Sequence, residues 1–172
     1  GAARLLGVPI VLHEANVVPG RAVRLFAPGA AAVAAGFEET RYHLRRAKLT
    51  VVGIPLREEL TAAAQNLPPR ESAARAPFRL LIMGGSMGAH RLNEVAVDAL
   101  ARLQRADVDF SVVHLTGRAD ETAIRAAYAA AGVRAEVIAF TTYLAPLYHA
   151  ADLAICRAGA ATCAELAYFG VP

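Results

Sequence analysis

The sequence predicts an α/β fold built on parallel β-sheets. Strand-length runs in which apolar residues predominate occur at Phe78–Met83, Phe110–Leu115 and Leu153–Cys156. Strands covered on both faces read this way, because neither side of the pleat faces water. Each run is followed by a segment of helical periodicity, and strand–helix alternation implies βαβ units. Glycines punctuate the pattern: Gly84, Gly85 and Gly88 lie between a strand and a helix, and Gly170 ends the last helix.

Taken in order, residues 8–13, 30–35 and 49–52 are short apolar runs that read as strands, with a short helix over 20–26. Arg41, His43, Arg45, Arg46 and Lys48 form a basic cluster, whose plain reading is a solvated loop. Residues 65–77 contain three prolines and no apolar period, the mark of a linker. The expected organisation is therefore a first domain over 1–57, a connection over 58–77 and a second domain over 78–172. In the second domain Leu92, Val95, Ala96, Ala99, Leu100 and Leu103 make one helical stripe. Helices follow over 120–130, 144–150 and 161–169, with a strand over 133–139. Asp120 and Glu121 open the first of these helices, where the dipole favours acids. Right-handed crossovers place all strand-to-helix loops on one sheet edge, where ligands of such sheets bind. Chemistry is expected in the loops 84–88, 115–119, 139–143 and 157–161, and near residues 13–20.

Composition narrows the class. The chain has 172 residues, 56% hydrophobic and 19% charged, which excludes intrinsic disorder. No apolar run reaches the roughly 18–20 residues of a membrane-spanning helix. Cys156 and Cys163 are too few for a disulfide scaffold and lack zinc spacing, which points to a reducing compartment. Residues 1–65 carry a net charge of +3 and the remainder none. That excess is too small for a nucleic-acid binder but compatible with weak attraction to an anionic membrane surface. Chain ends at Gly1 and Pro172, in mid-pattern, read as those of an internal segment of a longer protein.

Two loops carry the strongest chemical signals. Gly84-Gly85-Ser86-Met87-Gly88-Ala89 combines a tight turn with a helix start, which suits a phosphate or diphosphate. Its spacing is neither the dinucleotide fingerprint nor a P-loop. It does match G-x-S-x-G, the nucleophile elbow of α/β-hydrolases. A triad would need an acid and a histidine in that order at the same edge. His149 ends a helix, His114 precedes Asp120, and Asp152 opens a strand, so no complete triad is visible. The loop from Cys156 to Glu165 is rich in small residues and leaves a helix N-terminus open to an anion. Glu165, one turn in, can accept two hydrogen bonds from a vicinal diol such as ribose; its plain alternative is a dipole-favoured acid. Cys163 reads as filling. In the first domain His13 and Glu14 are weak candidates for acid–base work or sugar binding, with a structural role as the alternative. Arg57 reads as a side chain that reaches across an interdomain cleft or sits in solvent.

An ordered set of motifs runs through nearly the whole chain. It comprises His13-Glu14-Ala15-Asn16 with Pro19-Gly20, Gly53-Ile54-Pro55-Leu56-Arg57, and the Gly84–Ala89 loop with Leu92-Asn93. His114 with Thr116-Gly117, and Cys156-Arg157-Ala158-Gly159-Ala160 with Thr162, Glu165 and Gly170-Val171-Pro172, complete it. In this the sequence resembles the MurG family of glycosyltransferases, which add N-acetylglucosamine to lipid I (undecaprenyl-pyrophosphoryl-MurNAc-pentapeptide) in peptidoglycan synthesis. The resemblance implies a GT-B fold: two Rossmann-like domains, both incomplete here, facing across a cleft. It implies inverting transfer from UDP-N-acetylglucosamine to lipid I by a peripheral protein at the cytoplasmic face of the bacterial plasma membrane. No cofactor and no nucleic acid is implied, and other cell-wall synthesis proteins are admitted as partners.

By motif match, Ser86 would contact the donor diphosphate region, Met87 and Gly88 beside it would bind substrate, and the main chain of Phe140 and Thr141 would contact uracil. Gly159, Ala160, Ala161, Thr162, Cys163, Ala164 and Glu165 would form the helix-start pocket, with Glu165 on ribose. Asn16 and Arg57 would line the cleft. The sequence departs from the family pattern at Met87 and Ala15, where Gln is usual, and at Ile54, where Asn is usual. The family's Gly-rich loop with its histidine, and its Gln-rich sugar loop, have no counterpart among these motifs. The usual base is thus not in hand, and the segment alone is expected to be inactive. No Asp-x-Asp sits at a strand end, so no metal site is expected. Rival readings are a related GT-B transferase with another lipid acceptor or UDP-sugar, a serine hydrolase through Ser86, and a nucleotide-binding module without catalysis.

Overall fold

A computed structural model describes residues 2–69, 77–85 and 88–172. The chain divides into two compact units, Gly1–Pro55 and Leu56–Pro172.

The first unit contains α1 (Ala2–Leu5), β1 (Val11–Glu14), α2 (Arg21–Phe26), β2 (Ala32–Ala35) and β3 (Leu49–Val51). The strands form a parallel sheet in the order β1-β2-β3. Val33 and Ala35 of the central strand are wholly buried, and Val33 packs with Ala27 and Leu44. The basic side chains at 41, 43, 45, 46 and 48 are exposed around the buried Leu44, which pins that loop.

The second unit contains α3 (Glu58–Gln65), β4 (Phe78–Met83), α4 (His90–Arg105), β5 (Phe110–Leu115) and α5 (Glu121–Ala130). It continues with β6 (Ala135–Ile138), α6 (Ala145–Ala150), β7 (Leu153–Cys156) and α7 (Ala160–Phe169). Four parallel strands pair in the order β6-β5-β4-β7. Helices cover both faces. Leu80 and Ile82 of β4 pack with α4 and α5, whereas Leu81 and Met83 pack with α3, α6 and α7. Alternate residues of one strand thus enter two cores, which is why Leu80–Met83 reads as a continuous apolar run. Arg79 and Asp152 clasp β4 to β7: the Arg79 N–H donates to Asp152 Oδ2 at 2.8 Å, and the Asp152 N–H to the Arg79 carbonyl at 2.8 Å.

Two expectations about the connection need correction. Contacts divide the chain after Pro55 rather than after residue 57. Residues 58–65, read as linker, form helix α3. Glu58 and Glu59 sit in its first turn, where the dipole favours them, and Leu60 is buried in the core shared with α6. Residues 70–76 of the expected linker lie outside the described residues.

Candidate functional site

The strand order builds the site. From β4 the chain proceeds outward to β5 and β6, then returns to place β7 on the other side of β4. The loops after β4 and β7 therefore diverge at the sheet's topological switch point, where open α/β sheets hold ligands. Gly84 and Gly88 fit that crossing for steric reasons. A Cβ on Gly84 would lie 2.5 Å from the Ala89 nitrogen, and one on Gly88 would lie 2.7 Å from the Thr116 carbonyl oxygen. Gly88 also has φ +74, and its N–H donates to the Gly85 carbonyl at 2.9 Å. Arg157, just after β7, donates from Nε to the Gly84 carbonyl at 2.7 Å and so ties the two loops together. Ser86 and Met87, the expected diphosphate contacts, lie outside the described residues.

Beside this crossing is a cavity of about 300 Å³. Its walls are Met83, Gly85, Leu115 and Gly117 from the β4 and β5 ends, residues 139–142 and Leu144 after β6, Ala161, Thr162 and Glu165 from α7, and Arg57. Phe140 and Thr141 thus line it. Gly159, Ala160, Cys163 and Ala164 share the first turns of α7 but are not among its walls. Phe140 is half exposed, and the Arg118 guanidinium lies 5.8 Å from its ring centroid.

Glu165 supplies a carboxylate to the cavity. It is buried, 7% exposed, and both carboxylate oxygens have donors. The Tyr148 hydroxyl donates to Oε2 at 2.7 Å. Arg57 donates to Oε1 at 3.1 Å from Nη2 and 3.3 Å from Nε. Arg57 directly precedes α3 within the second unit, so its observed partner is Glu165 of the same unit. Burial, then the hydrogen bond to Glu165, pushes the Tyr148 hydroxyl well above the usual phenol range. It therefore remains a donor at any working pH. Tyr148 was not singled out from sequence. The available signal was a tyrosine inside an apolar helix, since a buried phenol needs a partner.

Behind the loops lies a second polar network. The Asn93 amide on α4 donates to the Thr116 carbonyl at 2.9 Å and to Asp120 Oδ2 at 2.8 Å. Both of those are acceptors, so Asn93 Oδ1 must receive the His114 Nε2–H, at 3.0 Å. His114 Nδ1 then accepts the Tyr128 hydroxyl at 2.8 Å. Burial drives His114 down to about 4. With no exposed surface and both ring nitrogens occupied, it is a core residue and not the histidine of a hydrolase triad. Asp120 is held below the usual carboxylate range by hydrogen bonds from His90 and Asn93. The network fixes the start of α4 against the β5–α5 loop that Gly88 approaches.

In the first unit, Glu14 ends β1 and is 4% exposed. Its Oε1 accepts the Asn16 N–H at 2.9 Å and the Asn16 side-chain amide at 3.0 Å, and its Oε2 accepts the Gly20 N–H at 2.9 Å. Burial would raise its pKa, but these hydrogen bonds and the nearby His13 outweigh it and hold the carboxyl low. Glu14 thus organises the loop 14–20. His13 and Asn16 are exposed on the same segment.

A doubly wound sheet with an acid-bearing cavity at its switch point has the layout in which open α/β domains hold their ligands. Residues 79–172 match the glycosyltransferase family 28 C-terminal domain, and the chain belongs to that family. It is 44% identical over 173 residues to the UDP-N-acetylglucosamine–N-acetylmuramyl-(pentapeptide) pyrophosphoryl-undecaprenol N-acetylglucosamine transferase of Sorangium cellulosum (strain So ce56), covering 99% of this chain and 41% of that protein. It is 46% identical over 178 residues to the protein of the same name from Thiobacillus denitrificans (strain ATCC 25259 / T1), covering 99% and 47%. The crystal structure of Acinetobacter baumannii MurG superposes with a TM-score of 0.72 at 34% identity, covering 96% of this chain and 45% of that one. This supports the GT-B-type α/β architecture. The chain spans about half the length of the curated relatives it matches. Among the described residues, no helix is long and apolar enough to cross a membrane.

Proposed function

We propose that the second unit holds the UDP moiety of UDP-N-acetylglucosamine for a transferase that delivers N-acetylglucosamine to lipid I at the membrane surface. The observation that carries this reading is Glu165, an oriented carboxylate in a cavity at the switch point of a parallel sheet. The relatives are named for that donor sugar and that lipid-linked acceptor. In this assignment Glu165 accepts the ribose hydroxyls, and main chain at Phe140 and Thr141 meets uracil. Ser86, Met87 and Gly88 lie at the diphosphate, whose developing charge in the transition state suits free amides at a helix start. Arg157 and Arg118 add positive charge beside the same loops. Gly159, Ala160, Cys163 and Ala164 act by keeping the first turns of α7 small. Asn16 is assigned to the acceptor side. Glu14 is given no proton-transfer role, because its acceptors are taken by the loop it closes.

Calorimetric titration of the chain with UDP-N-acetylglucosamine tests this. Binding should weaken at least about tenfold in Glu165→Gln, the scale of one or two hydrogen bonds to a charged group. A folded wild-type chain that binds neither the donor nor UDP would overturn the assignment.

A further inference from the structure

The two donors on Glu165 differ in kind. Tyr148 is wholly buried, has no exposure to water, and makes a short bond to Oε2. Arg57 is half exposed, with 47% of its side chain in solvent, and makes two long bonds to the one oxygen Oε1. A carboxylate frequently takes a guanidinium through both oxygens. Here the Tyr148 hydroxyl takes an acceptor site of Oε2, and Arg57 contacts Oε1 alone. Oε1, the oxygen Arg57 holds, is consequently the oxygen open to exchange.

We infer that Tyr148 is the positioning residue that makes Glu165 selective for a ribose diol: it locks Oε2 and leaves Oε1 to trade Arg57 for the ligand's hydroxyls. This inference rests on the proposed nucleotide site and adds to it the origin of sugar selectivity. Without the phenol, Oε2 becomes free and Arg57 closes on both oxygens. The carboxylate is then neutralised as a bidentate pair and no longer reads a diol. Tyr148 makes no contact with the ligand in this scheme, which distinguishes it from Glu165. Its ring is fixed independently of the hydroxyl by packing against Phe169, with ring centroids 5.4 Å apart. Removal of the hydroxyl alone therefore leaves the helix pairing in place.

The test compares UDP with 2′-deoxy-UDP, titrated against the same sample. Wild type should prefer UDP by about tenfold, the effect of one hydrogen bond to a carboxylate. Tyr148→Phe should bind UDP more weakly and bring the preference below about threefold. Replacement of Tyr148 by 4-aminophenylalanine, which restores a donor at the same position, should retain the wild-type preference. Because the readout is a ratio within one sample, a lowered folded fraction cancels. Undiminished preference in Tyr148→Phe overturns the inference, and so does its loss in a folded 4-aminophenylalanine variant should Tyr148→Phe not fold. If Glu165→Gln leaves both affinities unchanged, or wild type shows no preference, the failure lies in the nucleotide assignment itself. If Glu165→Gln abolishes the preference and Tyr148→Phe does not, Glu165 reads the sugar without help and only the role of Tyr148 is lost.

Discussion

His114 shows how one side chain sets a pH limit on the fold. Its neutral form bridges Asn93 and Tyr128 with no hydrogen-bonding capacity to spare for a second ring proton. Burial lowers its pKa from 6.5 to about 4. Between those values the unfolded chain binds a proton that the folded chain refuses, so stability rises with pH there. The contribution is complete above about pH 6.5, declines as pH falls toward 4, and levels off below it. At 1.36 kcal/mol per pH unit the window is worth about 3 kcal/mol. Urea unfolding of wild type and His114→Gln at pH 7, 5.5 and 4.5 should show the advantage of wild type shrinking by that order as pH falls. A constant gap would place the titration elsewhere. Glu165 stands out in the sequence as an acid one turn into a helix after a loop of small residues, although the helix dipole alone would also favour it there. Its partners were not legible. Arg57 and Tyr148 lie 108 and 17 residues away, and nothing local announces a pairing that only the tertiary fold makes.

At the scale of elements, two-sided burial decided what could be read. The strands Phe78–Met83, Phe110–Leu115 and Leu153–Cys156 have the bounds expected of them, and in β4 and β5 most of the apolar residues are buried. In the first unit β1 begins at Val11 rather than at residue 8; Val8 is exposed, and its apolar character marks no core. Helix α3 escaped notice because Leu60 is its one buried residue and the rest of its apolar face is alanine. The glycine loop reads in the sequence as a tight turn. That Gly88 must also clear the Thr116 carbonyl depends on β5, which no short-range pattern contains. Gly88→Ala should accordingly do two things. The left-handed φ costs about 1–2 kcal/mol, and the Cβ pushes against a carbonyl that Asn93 holds in place. Thermal unfolding should register the first, and a weakened UDP affinity the second, because the loop must shift at the switch point. An unchanged UDP affinity would mean that the loop does not touch the nucleotide.

For the molecule as a whole, the two units have unequal means of holding themselves together. The first has one small buried cluster, Ala27, Val33 and Leu44, and exposes Leu5, Leu6, Val11 and Leu25. The second closes its sheet between two clusters, one formed with α4 and α5, the other with α3, α6 and α7. Opening energies scale with the apolar surface that must be exposed, so amide exchange should report two classes. Amides of β1, β2 and β3 should exchange through openings of lower free energy than those of β4 and β5. Ligand then becomes a probe of which unit it binds. UDP present at 100 times its dissociation constant stabilises only states that retain the site, by about 2.7 kcal/mol. Because every wall of the cavity belongs to the second unit, that protection should appear in β4, β5, β6 and β7 and leave β1, β2 and β3 unchanged. Hydrogen–deuterium exchange with and without UDP separates the alternatives. A gain confined to the second unit places the nucleotide where Glu165 is. An equal gain in both would show that the units open as one cooperative body, and a gain confined to the first would remove the nucleotide from the second unit altogether.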